Sequence, residues 1–313
     1  MTKFLSFDVG GTKTSYCIVD EKGNICSEIS KCPTSKTVEE LFSSFCEIAK
    51  KHEGQYDYVS FATAGAVNLE NTLVRSSTPN MPEGYRDLDF SKISKTKIFV
   101  ENDANAAAWC EYKIGAGKGY QDVIVITLGT GIGGGIILKG KLLRGKSGKA
   151  GEVGSIKIHT DRVRECTCHN YDCWEAYASG TGMKETIRRM AKTSTSFRKG
   201  VYKDTKIEDI TTLDLVKSAR NGDEFSIEVL EAWQHHVKLG LISLVNVFDP
   251  EVVILSGGMG EVVDFERMEK EINDNIVVSP IKLLPAKFKN NAGMVGAALL
   301  AYETLELQAD NKI

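Results

Sequence analysis

The chain has 313 residues, a formal net charge of −3 and 26% charged residues, enough length for two domains with a cleft between them. It lacks the basic excess of a nucleic-acid binder. No run of about eighteen apolar residues marks a membrane span, and MTKFLSFDVGG carries no secretory pattern, so the expectation is a cytoplasmic protein with no nucleic-acid or membrane partner and a small ligand.

Alternation predicts a strand from Phe4 to Val9, a glycine turn at Gly10-Gly11-Thr12, and a return strand from Ser15 to Val19 ending at the turn Asp20–Gly23. Thr37 and Glu40 have capping-box spacing, and Leu41, Phe42, Phe45 and Ile48 follow at helical intervals, predicting a helix over 37–52. Strands are expected at Tyr56–Thr63 and Lys97–Val100. The alanine-rich run Ala104–Tyr112, with Asn102 and Asp103 ahead of it, predicts a helix that begins where a strand ends.

The opening pattern then returns, about 120 residues later. Asp122–Thr127 reads as a strand, Leu128–Gly135 as a glycine loop, and Ile136–Leu138 as a return strand with a turn at Lys139-Gly140. Helices at Thr212–Arg220 and Glu224–Val247, a buried strand Val252–Leu255 running into Ser256-Gly257-Gly258, and a helix Gly296–Leu305 complete the pattern. It is an α/β pattern. The expected lobes are residues 1–117, with the helix 296–313 as a candidate addition, and 118–295, hinged near 114–120.

Asp8-Val9-Gly10-Gly11-Thr12-Lys13 has the composition of a phosphate cradle, because successive glycines let backbone N–H groups converge on an anion. It is no Walker loop, since Lys13-Thr14 leads into a strand and not a helix. Gly131-Ile132-Gly133-Gly134-Gly135 also leads into a strand, which removes the dinucleotide-fold reading. A plain tight hairpin remains the alternative for either loop. Asp8 suits Mg²⁺ held through water or an Asx-type turn.

In order along the chain, Asp8–Lys13, Glu101-Asn102-Asp103-Ala104-Asn105, Leu128–Gly135, Gly151-Glu152-Val153-Gly154, Cys166-Thr167-Cys168, Cys173-Trp174-Glu175, Ser179-Gly180, Asp249-Pro250-Glu251 and Ser256-Gly257-Gly258 resemble the ROK family of sugar kinases and related repressors. The resemblance implies a two-lobed actin-like ATPase (ribonuclease H-like) sugar kinase fold that uses ATP and Mg²⁺, forms homodimers or homotetramers, and phosphorylates a small-molecule sugar. By that resemblance Gly10, Gly11 and Thr12 form the first phosphate loop, Gly131, Gly133 and Gly134 the second, and Gly257 and Gly258 line the adenosine side. Gly65, Asn80, Asn102, Asp103, Glu152 and Glu175 fall at substrate-side positions, with Asp103 as general base. A hexose phosphorylated at its 6-hydroxyl, as in a glucokinase, is the first expectation. N-acetylmannosamine, N-acetylglucosamine and fructose are the alternatives.

An Asp at a strand-to-helix corner suits the chemistry, because phosphoryl transfer needs positioning and one carboxylate to accept the hydroxyl proton. The competing role for Asp103 is a helix cap. A regulator of the family would place a helix-turn-helix ahead of the first glycine loop, which here begins at Asp8. An actin-like ATPase with no sugar acceptor would leave Asn102, Asp103, Glu152 and Glu175 without a purpose.

Eight cysteines are present. Cys17, Cys26, Cys32, Cys46 and Cys110 are scattered through apolar or helical segments and read as reduced thiols. Cys166, Cys168 and Cys173 crowd into eight residues, close enough for one structural Zn²⁺. Three ligands are not four. In zinc-binding relatives the fourth is a histidine directly after Glu-x-Gly, and that position here is Ser155. His159, about 13 Å farther along an extended chain, His169, Ser155 itself and water are the candidates, and three reduced thiols without metal is the alternative.

Overall fold

The computed structural model describes residues 1–68, 72–76 and 81–310. In chain order, its first half contains β1 (Lys3–Val9), β2 (Lys13–Asp20), β3 (Ser30–Pro33), α1 (Val38–Lys51), β4 (Tyr58–Thr63), β5 (Ala66–Val67), β6 (Val74–Ser76), β7 (Ile98–Asn102) and α2 (Asp103–Ile114). There follow β8 (Val123–Leu128), β9 (Ile132–Leu138), β10 (Lys141–Leu142), α3 (Glu175–Ala178), α4 (Gly180–Ala191), α5 (Thr195–Lys199) and α6 (Thr212–Arg220). The chain ends with α7 (Glu224–Phe248), β11 (Val252–Ser256), α8 (Phe265–Asn273), β12 (Lys282–Pro285) and α9 (Ala292–Asp310).

Two five-stranded sheets share one plan. Their strand orders are β3-β2-β1-β4-β7 and β10-β9-β8-β11-β12. In each, an antiparallel three-stranded meander with a glycine turn at its first corner continues into two further strands. β1 pairs antiparallel with β2 and parallel with β4, which pairs parallel with β7; β11 and β12 are likewise parallel. The repeated sequence pattern is thus a repeated topology.

The chain clusters into two compact bodies. One comprises Met1–Val125, Gly135–Gly151 and Ala286–Ile313, the other Ile126–Gly134 and Glu152–Pro285. The division therefore cuts β8 and β9, not the segment 114–120. Residues 118–125, 135–151 and 286–295, assigned with the second lobe from sequence, cluster with the first.

In the first body, one face of the sheet carries a phenylalanine core under α1. Phe7 stacks on Phe61 at 4.5 Å, and Phe45 and Phe90 meet Phe61 edge-on. On another face Phe4, Cys17, Val19 and Phe99 pack with Met294, Ala298 and Ala301 of α9. The alanines of α2 answer to α9: Ala106 clusters with Ala62 and Ala297, and a Cβ on Gly296 would lie 1.7 Å from the Ala106 carbonyl oxygen. Bulkier residues on either helix would push the two apart.

In the second body, α7 is the central helix, with Val229, Trp233, Val237, Leu241 and Val245 buried along it. Trp233 Nε1 donates to Ala178 O (2.9 Å) and Trp174 Nε1 to His236 O (2.8 Å). Both indoles thereby satisfy their one polar atom while burying the ring. Gly240 permits this, since a Cβ there would sit 2.0 Å from the Trp174 ring.

Candidate active site

The β7–α2 corner is built from residues that satisfy one another. Asn102 is the N-cap of α2, its Oδ1 accepting from Asn105 N at 3.0 Å. Its Nδ2 donates to Gly65 O at 3.0 Å and to Asp103 Oδ1 at 3.2 Å. Asp103 Oδ1 also accepts from Ala104 N at 2.9 Å. The capping role therefore belongs to Asn102, while Asp103 opens the helix with one carboxylate oxygen fixed by two donors. Gly65, at φ +102°, contributes through its carbonyl.

Asp8 lies beside this corner. Burial, and then the charge of Asp103, push its carboxyl up to about 7, with Lys13 acting the other way. Two carboxylates in one partly desolvated place repel, and a divalent cation would relieve both; the donor set fits Mg²⁺. α9 begins close by, since a Cβ on Gly293 would lie 2.9 Å from Asp8 Oδ2. The first glycine turn closes with Gly10 N donating to Lys13 O (3.1 Å), and Thr34 Oγ1 donates to Gly10 O (2.6 Å). It is a tight hairpin whose tip, Gly11-Thr12, is half-buried to exposed.

In the second body the second glycine loop is held from below. Glu175 Oε2 accepts from Ile132 N (2.9 Å), and Gly133 N donates to Thr127 Oγ1 (3.1 Å). Gly180 N donates to Gly129 O (2.8 Å) and Thr181 Oγ1 to Thr130 O (2.8 Å). Gly131 forms the turn, while Gly133 and the buried Gly134 already belong to β9. Beside the loop opens a cavity of about 550 Å³ lined by Gly129, Thr130, Thr181, Lys184, Arg220 and Gly258, among others. A Cβ on Gly129 or Gly258 would meet nothing within 4 Å. Bare backbone flanked by two cationic side chains fits a nucleotide and its phosphates. Gly257, at φ +84°, turns the chain against Leu128 O on this side.

Thr181, Lys184 and Arg220 were not anticipated, because a lysine or arginine on a helix carries no sequence signal of the cavity it faces. Tyr85 was missed for a similar reason. Its hydroxyl meets Thr63 Oγ1 at 2.5 Å, and burial, with the charge of Asp103 adding, holds it protonated. Asn80 lies outside the described residues. Glu152 is exposed and precedes the short turn Val153–Ser155.

The three clustered cysteines do come together. Their Sγ atoms all lie within 4.8 Å of one another, Cys168 and Cys173 at 3.6 Å. The loop around them is organised by Asp172, which is buried and accepts from Val163 N (3.0 Å), Arg164 N (3.0 Å) and Tyr177 Oη (2.7 Å). Although burial opposes ionisation, those hydrogen bonds outweigh it and hold the Asp172 carboxyl at about 2.

His159 does not join the thiols. Its ring rests on Tyr177 at 4.6 Å and on His236 at 5.6 Å; residues 156–158 do pair with 172–174, Lys157 opposite Cys173, but the His159 side chain is taken up by the aromatic wall. His169 is exposed, with Nδ1 3.8 Å from Glu165. Among the described residues no other His, Asp or Glu completes the set, and Lys157 Nζ lies 3.1 Å from Cys173 Sγ. The three thiols fit three positions of a zinc site, with Ser155 or water left to supply the fourth. Thr167 Oγ1 donates to Glu175 Oε1 (2.7 Å), so the cysteine loop and the second glycine loop share one carboxylate.

Two matched sheets, two glycine hairpins and an Asn-Asp corner at the end of a strand define the class: a two-lobed α/β protein of the actin-like ATPase, sugar kinase type. The pattern of the ROK family matches residues 4–304, and the chain belongs to that family. It is 34% identical over 311 residues to a glucokinase of Streptomyces coelicolor, covering 96% of this chain and 97% of that one. A glucokinase of Thermotoga maritima is 30% identical, with 97% and 98% covered. Among solved structures, a ROK family glucokinase from Streptomyces griseus in complex with glucose and AMPPNP matches with a TM-score of 0.78 and 32% identity, over 96% of this chain and 98% of that one. Among the described residues no helix is long and apolar enough to cross a membrane.

Proposed function

We propose that the protein is an ATP-dependent sugar kinase that phosphorylates a hexose at its 6-hydroxyl, with Asp103 as general base. The carrying observation is the corner at Asn102-Asp103, where a side-chain amide and a helix N-terminal N–H fix one oxygen of a carboxylate on a rigid junction. Both donors, and the helix dipole, stabilise negative charge on the carboxylate, the form that accepts a proton. As the sugar oxygen bonds to the γ-phosphorus, its proton passes to Asp103 and ADP departs with the electrons of the broken P–O bond. Asp8 would hold Mg²⁺ through its hydration shell, where the ion neutralises phosphate charge.

Bare glycine backbone, Lys184 and Arg220 support nucleotide binding in the second body. Glu152 and Glu175 complete the sugar-binding set in this reading, Glu175 also bracing the loop through Ile132 N. Cys166, Cys168 and Cys173 would hold a structural Zn²⁺ at three positions.

The test is a coupled ADP-release assay with Mg²⁺-ATP against glucose, mannose, fructose, N-acetylglucosamine and N-acetylmannosamine, with Asp103→Asn alongside. One sugar should stimulate turnover, with phosphate at the 6-position of the product, and the substitution should lower kcat by about 10²- to 10⁴-fold. A preferred N-acetylhexosamine would correct the acceptor and keep the base. Turnover within tenfold of wild type in Asp103→Asn would remove Asp103 from the role.

A further inference from the structure

Glu101 is a charged side chain only 3% exposed, two residues before the aspartate of the Asn-Asp corner. Its Oε1 accepts from Asn102 N (2.9 Å) and from Asn105 Nδ2 (3.2 Å). Its Oε2 meets Arg144 Nη1 at 2.6 Å. Glu101 thus holds both ends of the Asn102–Asn105 turn, and Arg144 lies on its other oxygen. Arg144 sits in the segment that follows β10 and is itself closed by Ala150 N donating to Arg144 O (3.1 Å).

We propose that Arg144 is a positioning residue for phosphoryl transfer, acting through Glu101 on the Asn102-Asp103 corner; the proposal rests on the kinase reading above. A carboxylate this deeply buried is retained in its charged form only with a counter-charge and hydrogen bonds. Without Arg144, Glu101 Oε2 loses its ion-pair partner and the side chain swings toward water. Its hold on Asn102 N and Asn105 Nδ2 then weakens, and the cap geometry of Asn102 loosens. Asn102 is also the donor that fixes Asp103 Oδ1, so the disturbance reaches the base. Misplacement of a reacting group by about 1 Å costs on the order of 10²-fold in rate, whereas ATP, bound by the glycine loops, is left untouched.

The experiment compares the full-length wild type with Arg144→Met, Arg144→Lys and the double variant Glu101→Gln/Arg144→Met. Arg144→Met should lower kcat for the sugar by about 10- to 100-fold while ATP affinity, measured by calorimetry, stays within about twofold. Arg144→Lys should recover part of the loss by restoring the charge. The double variant should regain at least about fivefold over Arg144→Met, because the side-chain amide brought in by Glu101→Gln keeps an oxygen that accepts both hydrogen bonds and needs no counter-charge.

Amide hydrogen exchange across residues 101–106 supplies a readout independent of turnover, and should quicken about tenfold or more in Arg144→Met. Unchanged exchange, kcat within about threefold of wild type, or no rescue by the double variant would each overturn the proposal. A wild type that transfers phosphate to no sugar would overturn the kinase reading instead, with the exchange data still judging the brace. Should Arg144→Met fail to fold, Arg144→Lys and the double variant decide the matter by the same measurements.

Discussion

At the β7–α2 corner, Asp103 is held by its immediate neighbours: a cap one residue before it, a helix N–H one residue after, and a buried ion pair behind. In the loop 157–175, Glu175 is held by distant ones: a glycine-loop amide at Ile132, a threonine of the cysteine loop, and beneath these the Asp172 hub that shapes the loop. Both regions orient a carboxylate. The corner does so with regular secondary structure, whose backbone hydrogen bonds are already satisfied. The loop must collect its backbone donors on one buried aspartate and tolerate positive φ at His169 (61°) and Asp172 (58°). A site on a strand–helix corner is stiff by construction, while one on an irregular loop depends on a few residues whose loss would release the whole segment.

The largest effect that would test this contrast is at the corner. Asp103→Asn should cost about 10²- to 10⁴-fold in kcat yet shift the melting temperature little, because Asn102 carries the cap. A melting shift as large as that of Asn102→Ala, where a lost cap costs about 1 kcal/mol, would show that Asp103 is structural as well. In the loop the balance should reverse. Asp172→Ala leaves two backbone N–H groups and a tyrosine hydroxyl without their acceptor, and should lower the melting temperature by several degrees and loosen Glu175, raising KM for the sugar more than it lowers kcat.

Two of the aspartates with displaced acidity, Asp172 and Asp8, should differ in sign. Asp172, near 2 in the fold against an ordinary 3.8, contributes stability that is present above pH 3.8 and lost as pH falls toward 2. Asp172→Asn should flatten the acid side of a melting-temperature profile. Asp8, near 7 against 3.8, favours the fold most when protonated, and that contribution is lost as pH rises from about 4 through 7. Asp8→Asn should therefore raise the metal-free melting temperature at pH 8 while weakening Mg²⁺-dependent turnover. An unchanged melting temperature there would mean the carboxyl is not strained by burial and Asp103. The smallest expected effect is chelation. Because Asp172 and Tyr177 already organise the loop, removing with a chelator any zinc that metal analysis finds on the three thiols should move the melting temperature less than Asp172→Ala does, as followed by calorimetry on the same sample.

Much of this was legible in the sequence because it is local. Strand–glycine–strand patterns, the alanine run of α2 and the Asn-Asp pair ahead of it are all statements about neighbours within a few residues, and periodicity reads those directly. The strands β3, β10 and β12 were not read, being two to four residues long and partly exposed. Their pairing is decided by the strands they join.

The same physical distinction separates what the chain determined alone from what folding decided. The order of motifs fixed the family, the doubled hairpin plan and the candidate base, since each rests on short spacings and the stereochemistry of glycine, asparagine and aspartate. The tertiary structure decided that Arg144 meets Glu101, 43 residues apart in sequence, that His159 lies on Tyr177 away from the cysteines, that Asp172 gathers its loop, and that Lys184 and Arg220 face one cavity. Each of these depends on burial and on contacts between distant segments, and a charged or aromatic side chain carries the same local signature whether it faces water, a partner or a site.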